Sequence, residues 1–242
     1  MLQFKAVFAN ELSRVFKKRK TIVFCLINIV IIELYILMSD SSGTISGVIG
    51  FVGNLHNVFF LVVFPLYIFM ETIDVFSGEM SSLIIRNTLL RPVTRTKIYL
   101  AKVCAVCAFI LGLILFTALY MLAYSILVGD SVITTIKNFA AYVITFIPIT
   151  AYVFMAALIS QIVKNSLFGM VLCIFFLLCS YSIEALSPII SAYIFVRHIN
   201  LYKMLLTGNI QLYAIFSALL IIAAYIGVTF TAGVLIFEKK EF

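Results

Sequence analysis

Residues 101–127 read AKVCAVCAFILGLILFTALYMLAYSIL, and Lys102 is the one charged residue among them. A helix rises about 1.5 Å per residue, so about 20 apolar residues cross the hydrocarbon core of a bilayer. This stretch is long enough to do so, and it lacks the polar face of a soluble surface helix. It therefore predicts a membrane-spanning helix.

The same pattern recurs along the chain. Of its 242 residues, 64% are hydrophobic and 11% are charged, whereas a soluble domain has about 25% charged residues. The predicted spans are residues 21–38, 55–76, 101–127, 139–162, 166–183 and 212–236. The sequence thus predicts an all-α polytopic membrane protein whose six-span domain covers residues 21–242.

Residues 1–20 have the pattern of an amphipathic helix. One face carries Phe4, Val7, Phe8, Leu12, Val15 and Phe16, and the other carries Asn10, Arg14, Lys17 and Lys18. We expect this helix to lie at the membrane interface.

Basic residues are distributed unevenly between the two sides of the predicted bundle. With the amino terminus inside, 14 Lys and Arg residues lie on the inner side, and Lys137, Arg197 and Lys203 lie on the other. This asymmetry predicts a plasma-membrane protein with both termini in the cytoplasm. Because orientation in the membrane explains the formal net charge of +7, we expect no nucleic-acid partner.

Residues that hold metals or cofactors are few and scattered. All five cysteines lie in apolar stretches, and Cys104 and Cys107 lack the polar setting or further ligands of a redox or zinc site. His56 and His198 are predicted to be interfacial residues on the outer side. No H-E-x-x-H or G-x-S-x-G pattern occurs. We therefore expect no catalytic residue, no metal site and no cofactor bound by this chain.

The densest cluster of polar residues surrounds the connection 77–100. Glu71 and Asp74 lie three residues apart near the carboxyl end of span two, where the helix dipole disfavours negative charge. We expect a base from the following segment to fold back onto them and form a charged elbow. The candidates are Arg86, Arg91, Arg95 and Lys102.

Gly78 and Pro92 bracket the middle of this connection. Glycine commonly ends a helix and proline suits the first turn of the next, so a short cytoplasmic helix is expected between them. Its leucines and isoleucines alternate with arginines, a mixture typical of a surface that binds a protein partner. Packing against the membrane surface is the alternative.

Two further features lie toward the outer side. The connection 184–209 contains the apolar stretch 188–196, too short to cross the bilayer, which predicts a re-entrant or interfacial segment or, alternatively, an ordinary outer loop. Glu33, about 8 Å inside the outer end of span one, is a candidate to line a translocation path, unless its carboxylate snorkels to the surface. Pro65 and Pro148 are expected to kink or loosen their spans.

The elbow resembles the type 2 ATP-binding-cassette exporter permeases. In that family an acidic residue and a glycine precede isoleucine-arginine, a leucine pair, arginine-proline-valine-serine-arginine and a lysine. The corresponding residues here are Asp74, Gly78, Ile85, Arg86, Leu89, Leu90, Arg91, Pro92, Val93, Thr94, Arg95 and Lys102. Glu79 and Thr94 depart from the usual threonine and serine. The layout is also similar, from the basic amphipathic start to the apolar hairpin before span six.

This resemblance implies that 77–100 is a coupling loop that fits a groove on a separate cytoplasmic ATPase subunit. The residues implied to contact that subunit are Glu79, Arg86, Leu89, Leu90, Arg91, Pro92, Arg95 and Lys97, while Glu71, Asp74 and Lys102 pair within the elbow. The chain has no G-x-x-x-x-G-K-[ST] loop, so ATP and Mg²⁺ are expected on the partner. A second permease, identical or related, would complete a path for a hydrophobic or amphipathic substrate.

Three other functions are alternatives. A non-transporting assembly, immunity or regulatory subunit would share the same spans. An intramembrane enzyme would need activated polar groups at one depth, and an ion-driven transporter or channel would need charged residues in mid-span. Glu33, Glu71 and Asp74 lie instead toward helix ends.

Overall fold

The structure is a computed structural model that describes residues 2–42, 54–78, 94–129, 131–163, 165–208 and 211–239. The elements in these ranges are helices, and no strand occurs among them. Six of the helices are long and apolar enough to cross a membrane. The predicted all-α polytopic fold with six spans is therefore confirmed.

The spans occur in the predicted order. Spans one to six are Arg19–Leu37, Asn54–Gly78, Arg95–Val128, Val132–Ile162, Ser166–Leu186 and Leu212–Lys239. Span three begins earlier than expected, after an extended backbone at Thr94, because Ile98 and Tyr99 are fully buried and hold its first turns against the bundle. The helix that contains span three thus begins within the predicted connection 77–100.

Span four lies at the centre of the bundle, where it packs against spans two, three, five and six. Spans two, three and four are buried over 67%, 50% and 56% of their most apolar windows, against 17% for span six. Spans five and six turn large apolar side chains outward, as Phe175, Phe216 and Val228 illustrate. Such faces are suited to lipid or to a second membrane subunit.

Span two changes its helical geometry twice. The π-helical turns Phe59–Val63 and Asp74–Gly78 flank the α-helix Phe64–Ile73. Pro65 lies just after the first of these turns. A proline has no backbone N–H to donate, and the wider π-helical turn lets the helix adapt to the missing hydrogen bond. Pro148, in contrast, lies within an uninterrupted α-helix. The expected loosening is therefore seen at Pro65 and not at Pro148.

The amino-terminal helix, Leu2–Lys17, packs along span three. Val7, Glu11 and Val15, which are spaced four residues apart, form its most buried line. Phe16 is 48% exposed, although its ring meets Phe109 edge to face with 5.6 Å between centroids. The chain bends at Lys18 before span one begins.

The connection between spans five and six folds back among the spans. It contains the helix Pro188–Ser191, the 3-10 helix Phe195–Leu201 and the helix Tyr202–Thr207. The Phe195 ring lies edge to face against Tyr152 of span four and Tyr225 of span six, at 4.8 and 5.2 Å between centroids. Tyr225 is about 20 Å along span six from its first residue, so this connection penetrates well below the end of the bundle.

Candidate functional site

Three pairs of acidic and basic side chains gather at one end of the bundle, which we call the charged end. The six residues are Glu11, Lys18, Lys20, Glu71, Asp74 and Lys102. The amino-terminal helix contributes Glu11, the bend contributes Lys18, and spans one, two and three contribute the others. The site therefore joins the amino-terminal helix and the bend that follows it to spans one, two and three.

Glu71 is the most enclosed acid of span two. Its side chain is fully buried, and the Lys18 Nζ donates a hydrogen bond to its Oε1 at 2.5 Å. A buried carboxylate is costly unless it is paired, so this ion pair stabilises the ionised acid within the helix bundle. The bend at Lys18 is what carries the ammonium group to span two.

Asp74 lies one turn farther along span two and is paired with Lys20. Both side chains are partly exposed, so this pair contributes less to stability than a buried one. It stands where the final π-helical turn of span two begins. Together with Lys18 and Glu71, it fastens the start of span one to the end of span two.

Glu11 and Lys102 form the third pair, between the amino-terminal helix and span three. The Lys102 Nζ lies 3.4 Å from Glu11 Oε2, and both side chains are almost wholly buried. The same ammonium group donates to the Val75 carbonyl oxygen at 3.4 Å. Lys102 therefore links the amino-terminal helix to span two as well as to span three.

The two acids of the predicted elbow pair with bases other than the expected ones. We expected Arg86, Arg91, Arg95 or Lys102 to compensate Glu71 and Asp74, but the bases paired with them in the described chain are Lys18 and Lys20. The Arg95 guanidinium donates instead to the Glu238 carbonyl oxygen at 2.9 Å and so joins spans three and six. The reason is geometric, since the bend at Lys18 brings its side chain and Lys20 beside the acids.

A hydroxyl group joins span two to span four at the same end. Ser77 is buried, and its Oγ lies 3.0 Å from the Ser160 carbonyl oxygen and 3.1 Å from that of Val163. These carbonyls belong to the last turn of span four, where the helix leaves its own acceptors unsatisfied. The charged end is thus tied to the central helix.

Most of the predicted ATPase-contacting residues lie outside the described residues. These are Glu79, Arg86, Leu89, Leu90, Arg91 and Pro92, in the segment 79–93. Arg95 and Lys97 are exposed in the first turn of span three. The described residues that flank this segment, Gly78 and Thr94, border the spans that the ion pairs connect.

Sequence reasoning missed Glu11, Lys18, Lys20 and Ser77. One available signal was Glu11, an acid on the otherwise apolar face of the amino-terminal helix. A carboxylate that is buried there requires a basic partner. A second was the pair of lysines at the predicted inner start of span one, the same side as Glu71 and Asp74. Which acid each lysine meets depends on how the helices pack.

Glu33 lies away from the charged end, toward the other end of span one. It is exposed, and the Tyr120 hydroxyl of span three donates a hydrogen bond to its Oε1. Glu33 therefore points out of this chain's helix bundle, toward lipid or toward another membrane subunit, and not into an interior channel.

The end of the bundle opposite the charged end is closed by aromatic rings. His56, expected at the interface, is instead fully buried. Its ring lies between Phe60 and Tyr202, at 4.1 and 3.7 Å between centroids, and its Nε2 is 3.1 Å from Thr145 Oγ1. The prediction was wrong because it placed the residue by depth alone, whereas the folded-back connection covers it.

The structure also bears on the predictions about metal ions and cysteines. Among the described residues, no group of three or more His, Cys, Asp or Glu side chains is arranged to hold a metal ion. Cys25, Cys104, Cys107, Cys173 and Cys179 are free and at least partly buried.

Comparison with known proteins identifies a family whose function is unknown. A sequence model of the family described as "Protein of unknown function (DUF2705)" matches residues 10–242. No curated protein matches the chain. The matched range includes the charged end from Glu11 onward and all six spans.

Proposed function

The chain belongs to the DUF2705 family, whose function is unknown, and we propose that it is the permease subunit of an ATP-binding-cassette exporter. In this proposal a separate cytoplasmic ATPase subunit supplies the energy. The cargo is a hydrophobic or amphipathic substrate that crosses the plasma membrane. Both termini and the charged end face the cytoplasm.

The observation that carries the proposal is the set of three ion pairs at the charged end. They connect the amino-terminal helix and spans one, two and three within about two helical turns of Gly78 and Thr94, the described residues on either side of the segment 79–93. A segment that transmits motion from a partner needs stiff anchors, since a loosely held loop would move without displacing the spans. Buried, paired charges supply such anchors.

The charge distribution supports the cytoplasmic assignment. The charged end belongs to the side that carries 14 of the 17 Lys and Arg residues. That asymmetry favours retention of this side in the cytoplasm during membrane insertion. A cytoplasmic ATPase would meet this end of the bundle first.

Glu33 supports a path shared between two permeases. A carboxylate that faces lipid at this depth is costly, by as much as about 3 kcal/mol for an acid at the bilayer centre. A second permease, whether a copy of this chain or a relative, would cover Glu33 and Tyr120. The substrate path would then lie between the two subunits, along spans one and three.

The proposal is tested by purification of the tagged chain from its native membrane. The complex should hydrolyse ATP and contain a subunit with a G-x-x-x-x-G-K-[ST] loop. Arg95→Glu combined with Arg91→Glu should remove that subunit, because reversed charges oppose docking at the proposed contact. Lys137→Glu, which reverses a charge at the opposite end, is the control and should retain it.

Two results would contradict or redirect the proposal. Unchanged recruitment of the ATPase by the Arg91 and Arg95 double variant would refute the coupling assignment. An intact complex that hydrolyses ATP but moves no amphipathic substrate in vesicles would instead identify a non-transporting subunit.

A further inference from the structure

A cavity of about 650 Å³ opens at the end opposite the charged end. It lies between the folded-back connection and the first turns of span six. Its polar lining includes the charged, imidazole and amide side chains of Glu184, Arg197, His198, Asn200, Lys203 and Gln211. None of these side chains belongs to the charged end or to the proposed path beside Glu33.

The charge of this cavity favours an anionic group. Arg197 and Lys203 contribute two positive charges, and Glu184 contributes one negative charge. Burial of the ring, together with the nearby charge of Arg197, lowers the pKa of His198, so the imidazole is neutral at pH 7. Arg197 is also positioned by a hydrogen bond from its Nη1 to Ser191 Oγ at 2.9 Å.

Two buried hydrogen-bond acceptors lie in residues that line the cavity. His198 makes a hydrogen bond to the backbone of Ala192, and its buried Nε2 has no hydrogen-bond partner in the described part of the chain. In a neutral imidazole the ring nitrogen without the proton is an acceptor. The buried Oδ1 of Asn200 is likewise without a partner there. Both atoms are enclosed and do not reach the cavity surface, so the cations carry the recognition of a head group.

An apolar cleft of about 170 Å³ adjoins the polar cavity. The two share Leu201 and Met204, and the cleft continues between spans four and six along Ile147, Leu205 and Ile215. A dry apolar cavity of about 150 Å³ can hold a benzene molecule, so this cleft has room for the first part of a hydrocarbon chain. The remainder of such a chain would leave toward the lipid between the two spans.

We propose that this pair of cavities binds an amphipath whose head group carries a phosphate or other anion. Arg197 and Lys203 bind the anion, and the apolar cleft holds the chain. A phosphatidylglycerol of the bilayer and an exported lipid-like cargo share this chemistry. The site is independent of the proposed function, because it would exist even if the chain moved nothing.

Calorimetric titration of the full chain in an uncharged detergent tests the site. The probes are a short-chain phosphatidylglycerol, a phosphatidylcholine of the same chain length, and glycerol 3-phosphate, which has no chain. We expect phosphatidylglycerol to bind best. Lys203→Gln should weaken its binding about fivefold, as expected for one cation beside an anionic lipid, whereas Lys137→Gln at the same end should leave binding unchanged.

A second variant tests the apolar half without altering charge. Ile147→Phe fills the cleft and should weaken the binding of phosphatidylglycerol but not of glycerol 3-phosphate. Equal binding of the two phospholipids, equal binding of the chainless probe, or no effect of Lys203→Gln would overturn the proposal.

Extraction of the lipid that co-purifies from the native membrane separates the two sources. Phosphatidylglycerol lost in Lys203→Gln identifies a bilayer lipid. Another acidic amphipath lost in the same variant identifies a cargo. A neutral lipid retained equally by both proteins would count against the site.

Discussion

Replacement of Lys102 by methionine should destabilise the protein by about 3 kcal/mol, because removal of one partner from a buried ion pair costs about 3 to 5 kcal/mol. The Lys102 and Glu11 side chains are 0% and 2% exposed, so Lys102→Met leaves the Glu11 carboxylate buried and poorly compensated. The lower end of the range applies, since Arg14 Nη1 remains 3.9 Å from Glu11 Oε2. Methionine keeps the apolar stem in place, which confines the change to the charge.

The measurement is unfolding in mixed micelles by a denaturing detergent, followed by the helical circular dichroism signal. Glu11→Gln combined with Lys102→Met should recover most of the loss, because the neutral amide no longer requires a cation. Lys137→Met, at an exposed lysine on span four, should have little effect. The reasoning fails if Lys102→Met matches this control, or if the losses of the two single variants simply add in the double variant.

Two further predictions concern contacts between spans. In Gly233→Ala the new Cβ would overlap the Tyr99 hydroxyl, whereas in Gly227→Ala it would meet nothing within 4 Å. In the same unfolding assay, Gly233→Ala should therefore lower the free energy of unfolding by about 1 to 3 kcal/mol. Gly227→Ala should not lower it. Tyr99→Phe should partly rescue Gly233→Ala, and an unaltered Gly233→Ala would refute the packing. Ser77→Ala removes the donor to two carbonyls of span four and should cost about 1 kcal/mol. Amide hydrogen exchange should then rise at the end of span four, and unchanged exchange would contradict this role.

The charged end shows where sequence reasoning reached its limit. The need to compensate Glu71 and Asp74 was readable, because acids at a helix carboxyl end are disfavoured. The partners were assigned to the following segment, whereas Lys18 comes from the bend before span one and Lys20 from the start of that span. The predicted topology places both sources on the inner side. Only the lateral arrangement of the helices distinguishes them.

The two glycines of span six, Gly227 and Gly233, illustrate the same limit. A small residue on a membrane helix predicts a close approach without naming the neighbour. Gly233 lies against the Tyr99 ring of span three, within the same chain, whereas the Cβ of an alanine at Gly227 would meet no neighbouring atom within 4 Å. Two similar glycines thus have different environments for reasons that no local pattern contains.

The sequence by itself determined that the chain is an all-helical membrane protein with six spans. It could do so because the free energy of transfer into a bilayer is nearly a sum over successive residues. The tertiary structure alone decided that Glu11 pairs with Lys102, that His56 is enclosed by aromatic rings, and that Arg197 and Lys203 border one cavity. These outcomes depend on which helices are neighbours and how each is rotated, and such choices follow from packing among residues distant in the chain.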